Sequence, residues 1–220
     1  MNTSEVLDLL ATKSDPKMKA HHIKNGAQEN LFGAKMGDIR AIAKTIKSDH
    51  ELGMGLWETG NMDAQLLATL IVKPKLIEPS KLEEMVQSVV YTWLADWLNS
   101  NVVKQHPDKD SLRLLWMEKT HPILRRSAWS LTGEKVTKDP SSLDLNQLLD
   151  RIELEMGIAP EAAQWTMNFC LGEIGIKFPE HRARALAIGE KIGLYKDYPV
   201  SKGCTSPYVP IWINEMATRL

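Results

Sequence analysis

The sequence predicts an all-α fold, a solenoid made by stacking antiparallel helix pairs. Three observations carry that expectation. Apolar residues recur at helical spacing along nearly the whole chain, no run alternates with period two, and the helical segments are short and joined by tight turns marked by proline or glycine. With 220 residues, 43% of them hydrophobic, the chain can bury one sizeable core or two small ones. The unbroken succession of helices makes a single domain over residues 1–220 the expectation.

The elements follow in order. In "GDIRAIAKTIK", Ile39, Ile42, Ala43 and Ile46 form one stripe, with Asp38 in the first turn and Lys44 and Lys47 in the last, as the helix dipole favours. "DHELGMGLWETGN" is a second helix, capped by Asp49 and stopped at Gly60. "MDAQLLATLIVKP" is apolar nearly all round and ends at Pro74, which predicts a buried helix. In "EPSKLEEMVQSVV", Ser80 reads as an N-cap with Glu83 completing a capping box. The helix in "YTWLADWLNS" comes next and ends before Pro107. "HPDKDSLRLLWMEKT" and "HPILRRSAWSLTGEKV" each open near a proline that a first helical turn tolerates. "SSLDLNQLLDRIELEMG", "APEAAQWTMNFCLGEIG" and "FPEHRARALAIGEKIG" each close on a glycine suited to a left-handed cap. Only "YKDYPVSKGCTSPYVP" reads as a real loop. About twelve short helices of this kind admit a compact irregular bundle or a stack of pairs. Even lengths and short turns favour the stack, as in degenerate HEAT-like repeats of about six pairs, with function expected on a concave face.

Composition excludes several classes. The formal net charge is -1, so any attraction to nucleic acid must come from a local patch. Cys170 and Cys204 have neither metal-ligand spacing nor the density of a disulfide framework, which fits a reducing, cytoplasmic compartment. The N-terminal stretch carries acidic residues and no long apolar core, so it does not read as a signal peptide, and no apolar run spans a bilayer. Phosphate-cradling, dinucleotide-binding, nucleophile-elbow and zinc-protease signatures are absent, and no cofactor or metal is expected. His21 and His22 point in two directions on a helix and read as solvated or capping residues.

The aromatics are more informative. Tyr91, Trp93, Trp97, Trp116, Trp129 and Trp165 fill gaps between helices or line a surface. Asp96 lies among them, one turn from Thr92 and Trp93 and beside Trp97. Such a carboxylate must be exposed, paired with a base, or held for chemistry, because burying it alone is costly. Arg125 and Arg126 offer a partner, but they diverge by about 100° on a helix, so at most one enters a given cleft. Lys13, Lys17, Lys19, Lys24, Lys35, Arg40, Lys44 and Lys47, with Lys104, Arg126, Arg182 and Arg184, are candidates to line one basic face against phosphates.

The run from "KNGAQENLFGAKMGDIRAIAKTIK" through "ELGMGLWETGNMDAQLLATLIVKPK" resembles the N-terminal half of the AlkD-type DNA alkylation repair proteins, and the likeness continues through "YTWLADW", "LRRSAW" and, more loosely, "AAQWTMNFCLGEIG". The resemblance implies a monomeric, HEAT-like helical-repeat protein whose basic surface holds double-stranded DNA, damaged or branched. Active members hydrolyse the N-glycosidic bond of cationic alkylpurines of the 7-methylguanine and 3-methyladenine type without seating the base in a tight pocket. By the same resemblance Asp96 is the catalytic carboxylate. The DNA contacts it implies are Arg126 or Arg125 and the aromatics Trp93, Trp97, Trp129, Trp165 and Phe169, with Lys35 and Arg40 on the basic surface. Thr92 stands where the family carries a tryptophan one turn before the aspartate, and Phe169 where it carries a second. The pattern therefore also fits a helical-repeat protein that binds unusual DNA structures or a protein partner without excising a base.

Overall fold

The computed structural model describes residues 1–219. Among these there are thirteen α-helices, three short 3-10 helices and no strand. The helices are α1 (Thr3–Ala11), α2 (Pro16–Lys24), α3 (Met36–Ile46), α4 (His50–Glu58), α5 (Met62–Ile71), α6 (Pro79–Ser88), α7 (Thr92–Asn101), α8 (Lys109–Met117), α9 (Pro122–Lys138), α10 (Leu145–Glu155), α11 (Glu161–Lys177), α12 (Pro179–Ile192) and α13 (Val209–Ala217). They gather into two compact units, Met1–Lys109 and the part from Asp110 onward.

In the first unit α5 is the central element. It packs against α4 and also against α3 and α7, the helices two before and two after it. Contact with every second helix is what stacked helix pairs produce. All of α5 is buried except Gln65 and Leu70, in keeping with its all-round apolar sequence. Truncating a leucine as enclosed as Leu67 would cost about 2–5 kcal/mol.

One buried residue of α5 is charged. Asp63 is fully enclosed, and its carboxylate accepts backbone N–H bonds from Phe32 (2.6 Å), Gly33 (3.1 Å) and Ala34 (2.9 Å). Three donors converging on one carboxylate answer the desolvation that a buried charge suffers. Gly33 completes this turn at φ +80°, and a Cβ there would lie 2.5 Å from the Lys19 nitrogen and 2.6 Å from the Asp15 carbonyl oxygen. Only glycine fits so close to another backbone at that angle.

In the second unit the long helices α9 and α11 pack together, and α11 also packs against α12 and α13. Trp116 and Trp129 are completely buried here. The approach of α13 requires glycine on its neighbour. A Cβ on Gly172 would meet the Trp212 ring at 2.2 Å, and one on Gly175 would meet Ile213 at 2.3 Å. Gly175 is therefore a packing glycine inside α11 and not the stop expected from the sequence. Gly193, at φ +68°, does close α12.

Two other local expectations need correction. Helix α6 starts at Pro79, because the fixed φ of proline is ready for a first turn; Ser80 lies inside that turn and makes no cap. The segment read as a loop to Pro210 becomes helical at Val209, where Pro210 occupies a first-turn position.

Candidate nucleic-acid interface

Helix α7 has two faces. Leu94, Ala95, Leu98 and Asn99 are buried, whereas Asp96 and Ser100 are exposed and Trp93 and Trp97 half-exposed. Residues spaced by three and four share a helical face, so Trp93, Asp96, Trp97 and Ser100 form one outward stripe. The two indoles meet edge to face, with centroids 6.2 Å apart. A hollow of about 320 Å³ lies over this stripe, lined by Trp93, Asp96, Trp97, Ser100 and Asn101. Asn101 donates its amide to the Trp97 carbonyl at 2.8 Å, satisfying an oxygen near the helix end.

Side chains of two neighbouring helices meet the two indoles. The Arg40 guanidinium of α3 sits 5.2 Å from the centre of the Trp97 ring, within cation–π range. Lys35, at the N-cap of the same helix, is exposed and lies 3.5 Å from Asp15. His22 of α2 stacks on Trp93, with centroids 4.7 Å apart and planes 26° from parallel. Its Nδ1 is 3.3 Å from the Tyr91 hydroxyl. Burial pushes the Tyr91 phenol up from its ordinary value. His22 is only 4% exposed, which corrects the expectation of a solvated or capping histidine. Its signal in the sequence was slight, a second histidine in "HHIK" with nothing to mark it as inward-facing.

In the second unit the predicted residues divide. Trp129 is wholly buried in α9, so it cannot serve as a surface contact to DNA. Arg126 is 6% exposed and donates Nη1 to the Ala162 carbonyl at 2.7 Å; it ties α9 to α11 and does not project as a phosphate contact. Arg125 is paired with Glu155, which also accepts from Arg151 Nε at 2.8 Å. Arg182 bonds the carbonyls of Gly175 and Ile176, and Arg184 pairs with Asp150. The arginines expected on a basic face in this unit are thus engaged by the unit itself, Arg182 by supplying donors to carbonyls at the end of α11.

Trp165 and Phe169 do reach an aromatic surface cluster on α11, with centroids 5.1 Å apart. Sequence reasoning missed the rest of it. Tyr195 and Tyr198 pack on Trp165 at 5.2 and 5.6 Å, and Trp212 packs on Phe169 at 4.7 Å. Tyr195 has φ +62°, which is strained for a bulky residue. Burial, and then the charge of Glu161, push its phenol up to about 12. Two tyrosines within "YKDYP" were the available signal, hidden by the loop composition around them. Among the described residues no group of three or more His, Cys, Asp or Glu side chains is placed to hold a metal, and no helix is long and apolar enough to cross a membrane.

Comparison with known proteins supplies the context for this geometry. An uncharacterized protein of Listeria monocytogenes is 22% identical over 193 residues, covering 86% of this chain and 85% of its own. Another from Listeria innocua is 23% identical over 184 residues, covering 82% and 80%. A solved structure superposes with a TM-score of 0.81 at 21% identity, covering 100% of this chain and 95% of its own. That protein is described as one of a new family related to the HEAT-like repeat DNA glycosylases, with affinity for branched DNA structures. The fold is therefore that of the HEAT-like repeat glycosylases and their relatives, as the resemblance implied. A family model described as DNA alkylation repair enzyme matches residues 6–197, taking in both the Asp63-anchored turn and the α7 stripe, and the chain belongs to that family.

Proposed function

We propose that this protein binds damaged duplex DNA and hydrolyses the N-glycosidic bond of cationic alkylated purines, using the outward stripe of α7. The observation that carries the reading is the exposed carboxylate of Asp96, which shares the outward face of α7 with Trp93 and Trp97 and lines the same hollow. An N-alkylated purine leaves as a neutral base, so its departure needs no proton donor. The deficit is at the sugar, where the C1′–N bond breaks and positive charge develops on C1′ and the ring oxygen. A fixed carboxylate beside that carbon stabilises the oxocarbenium ion and orients a water molecule. Water adds at C1′ and releases one proton, leaving an abasic sugar and the free base. The flat indoles cover apolar sugar faces, while Arg40 and Lys35 supply positive charge for phosphates. Trp165 and Phe169 are the proposed DNA contacts of the second unit.

The test uses duplex DNA carrying 7-methylguanine, with base release followed for the wild type and Asp96→Asn. Loss of the carboxylate charge should slow release by about 100-fold or more. Release equal in the two proteins, or absent from both, removes Asp96 from the mechanism.

A second reading is DNA-structure binding without excision. It is favoured by Thr92, which is half-buried at the start of α7 where the family carries an aromatic, and by the branched-DNA affinity ascribed to the structurally similar protein. Retained salt-dependent affinity for junctions, with no base release from any alkylated duplex, would select it.

A further inference from the structure

We propose that His22 is a positioning residue for Trp93: from α2 it clamps one face of the indole, so that the ring stands fixed beside Asp96. The consequence for DNA rests on the reading above, but the ring pair itself does not. Three observations support the role. The imidazole is almost fully buried although it lies on a helix whose flanking residues are exposed. It stacks nearly parallel on Trp93 at 4.7 Å. Its Nδ1 is within hydrogen-bond reach of Tyr91, the residue immediately before α7.

An indole on the outer face of a helix ordinarily samples several rotamers, and binding must then remove that freedom. Packing one face against a buried ring removes it beforehand. The clamp also gives Trp93 a support that Thr92, one position earlier, has no ring to provide.

The clamp works with a neutral imidazole. The groups that bear on His22 are His21 on its own helix, Asp63 from α5, and the Tyr91 hydroxyl and Trp93 ring from α7. Burial first, and then the neighbouring His21, hold its pKa below the ordinary 6.5, with Asp63 opposing them. Burial disfavours a charge on this ring, so protonation weakens its packing on Trp93.

The experiment compares full-length wild type, His22→Phe and His22→Ala, with Trp93→Phe as the spectroscopic reference. Subtracting the Trp93→Phe spectrum isolates Trp93 emission, which is followed from about pH 8 to about pH 5. In the wild type the Trp93 signal should move to longer wavelength as pH falls, with a midpoint below that of an ordinary histidine. His22→Phe keeps a flat ring and loses the titration, so its signal should stay blue-shifted across the range. His22→Ala should be red-shifted throughout. DNA affinity should follow: about fivefold or more weaker in His22→Ala, and weakened by acid in the wild type but less so in His22→Phe. A wild-type pH step that persists in His22→Phe, or a Trp93 signal unchanged in both variants, overturns the proposal. Should no variant bind any DNA, the functional reading fails while the emission arm still decides the clamp.

Discussion

The guanidinium carbon of Arg40 lies 5.2 Å from the centre of the Trp97 ring, so a cation from α3 is fixed over an aromatic of α7. The pair joins the two kinds of group that DNA recognition needs, a charge for phosphate and a flat apolar surface for sugar or base. Because Arg40 is exposed, its contribution to folding is small, about 0.5–1 kcal/mol. Arg40→Ala should therefore leave thermal unfolding nearly unchanged while weakening DNA binding and reducing the slope of log affinity against log salt by about one. Affinity measured across a salt series checks this; an unchanged slope would place Arg40 away from the phosphates.

Arg125 should behave in the opposite way. Its guanidinium is committed to Glu155, within a network where Arg151 also contacts Glu118 at 2.6 Å and the Met117 carbonyl at 2.9 Å. Removing Arg125 leaves Glu155 with Arg151, so the penalty is modest, about 1 kcal/mol. We expect Arg125→Ala to lower stability by that amount in denaturant titration and to leave both DNA affinity and its salt slope as in the wild type. A fall in the slope would show that the arginine leaves Glu155 for a phosphate.

The turn at residues 32–34 depends on a single carboxylate. Asp63→Ala strands three backbone N–H groups that now bond to it, and it opens a void beneath them. The expected loss is about 3 kcal/mol or more, with Asp63→Asn losing roughly half as much because one amide oxygen still accepts. Gly33→Ala should be similarly damaging, since its Cβ collides with backbone on both sides. Equilibrium unfolding of the three variants measures these losses, and a loss under 1 kcal/mol for Asp63→Ala would mean that water replaces the carboxylate.

Features governed by local pattern were legible in the sequence. The all-round apolar run of α5 and the Asp49 cap of α4 follow from helical spacing and capping chemistry, whereas spacing alone leaves open whether Asp96 faces outward. What could not be read depends on contacts distant along the chain. Asp63 looks like a dipole-favouring residue in a first turn until the turn 29 to 31 residues earlier is seen donating to it. Arg126 resembles a phosphate ligand until the Ala162 carbonyl occupies it. Gly175 resembles a helix stop until Ile213 arrives at its surface. In each case the residue's role is set by a partner that local sequence does not name. This is also why His22 passed for a solvated residue.

The pH dependence of stability gives an independent measure of that histidine. Folding holds the His22 pKa below the ordinary 6.5, chiefly through burial. Well above that value the imidazole is neutral in both states and has no effect on the balance. As pH falls through it, the unfolded chain takes up the proton first, so the native state loses stability relative to the unfolded one. The loss continues until pH passes below the folded pKa, where both states are protonated and the difference levels off. His22→Phe cannot titrate at this position, while every other ionisable group is common to both proteins. The unfolding free energy of wild type minus that of His22→Phe should therefore decline as pH falls below about 6.5 and then level off. Denaturant titrations of both proteins at a series of pH values provide the measurement. A flat difference would show that His22 ionises as readily in the folded protein as in the unfolded chain, and that its slot between α2 and Trp93 admits the charged ring.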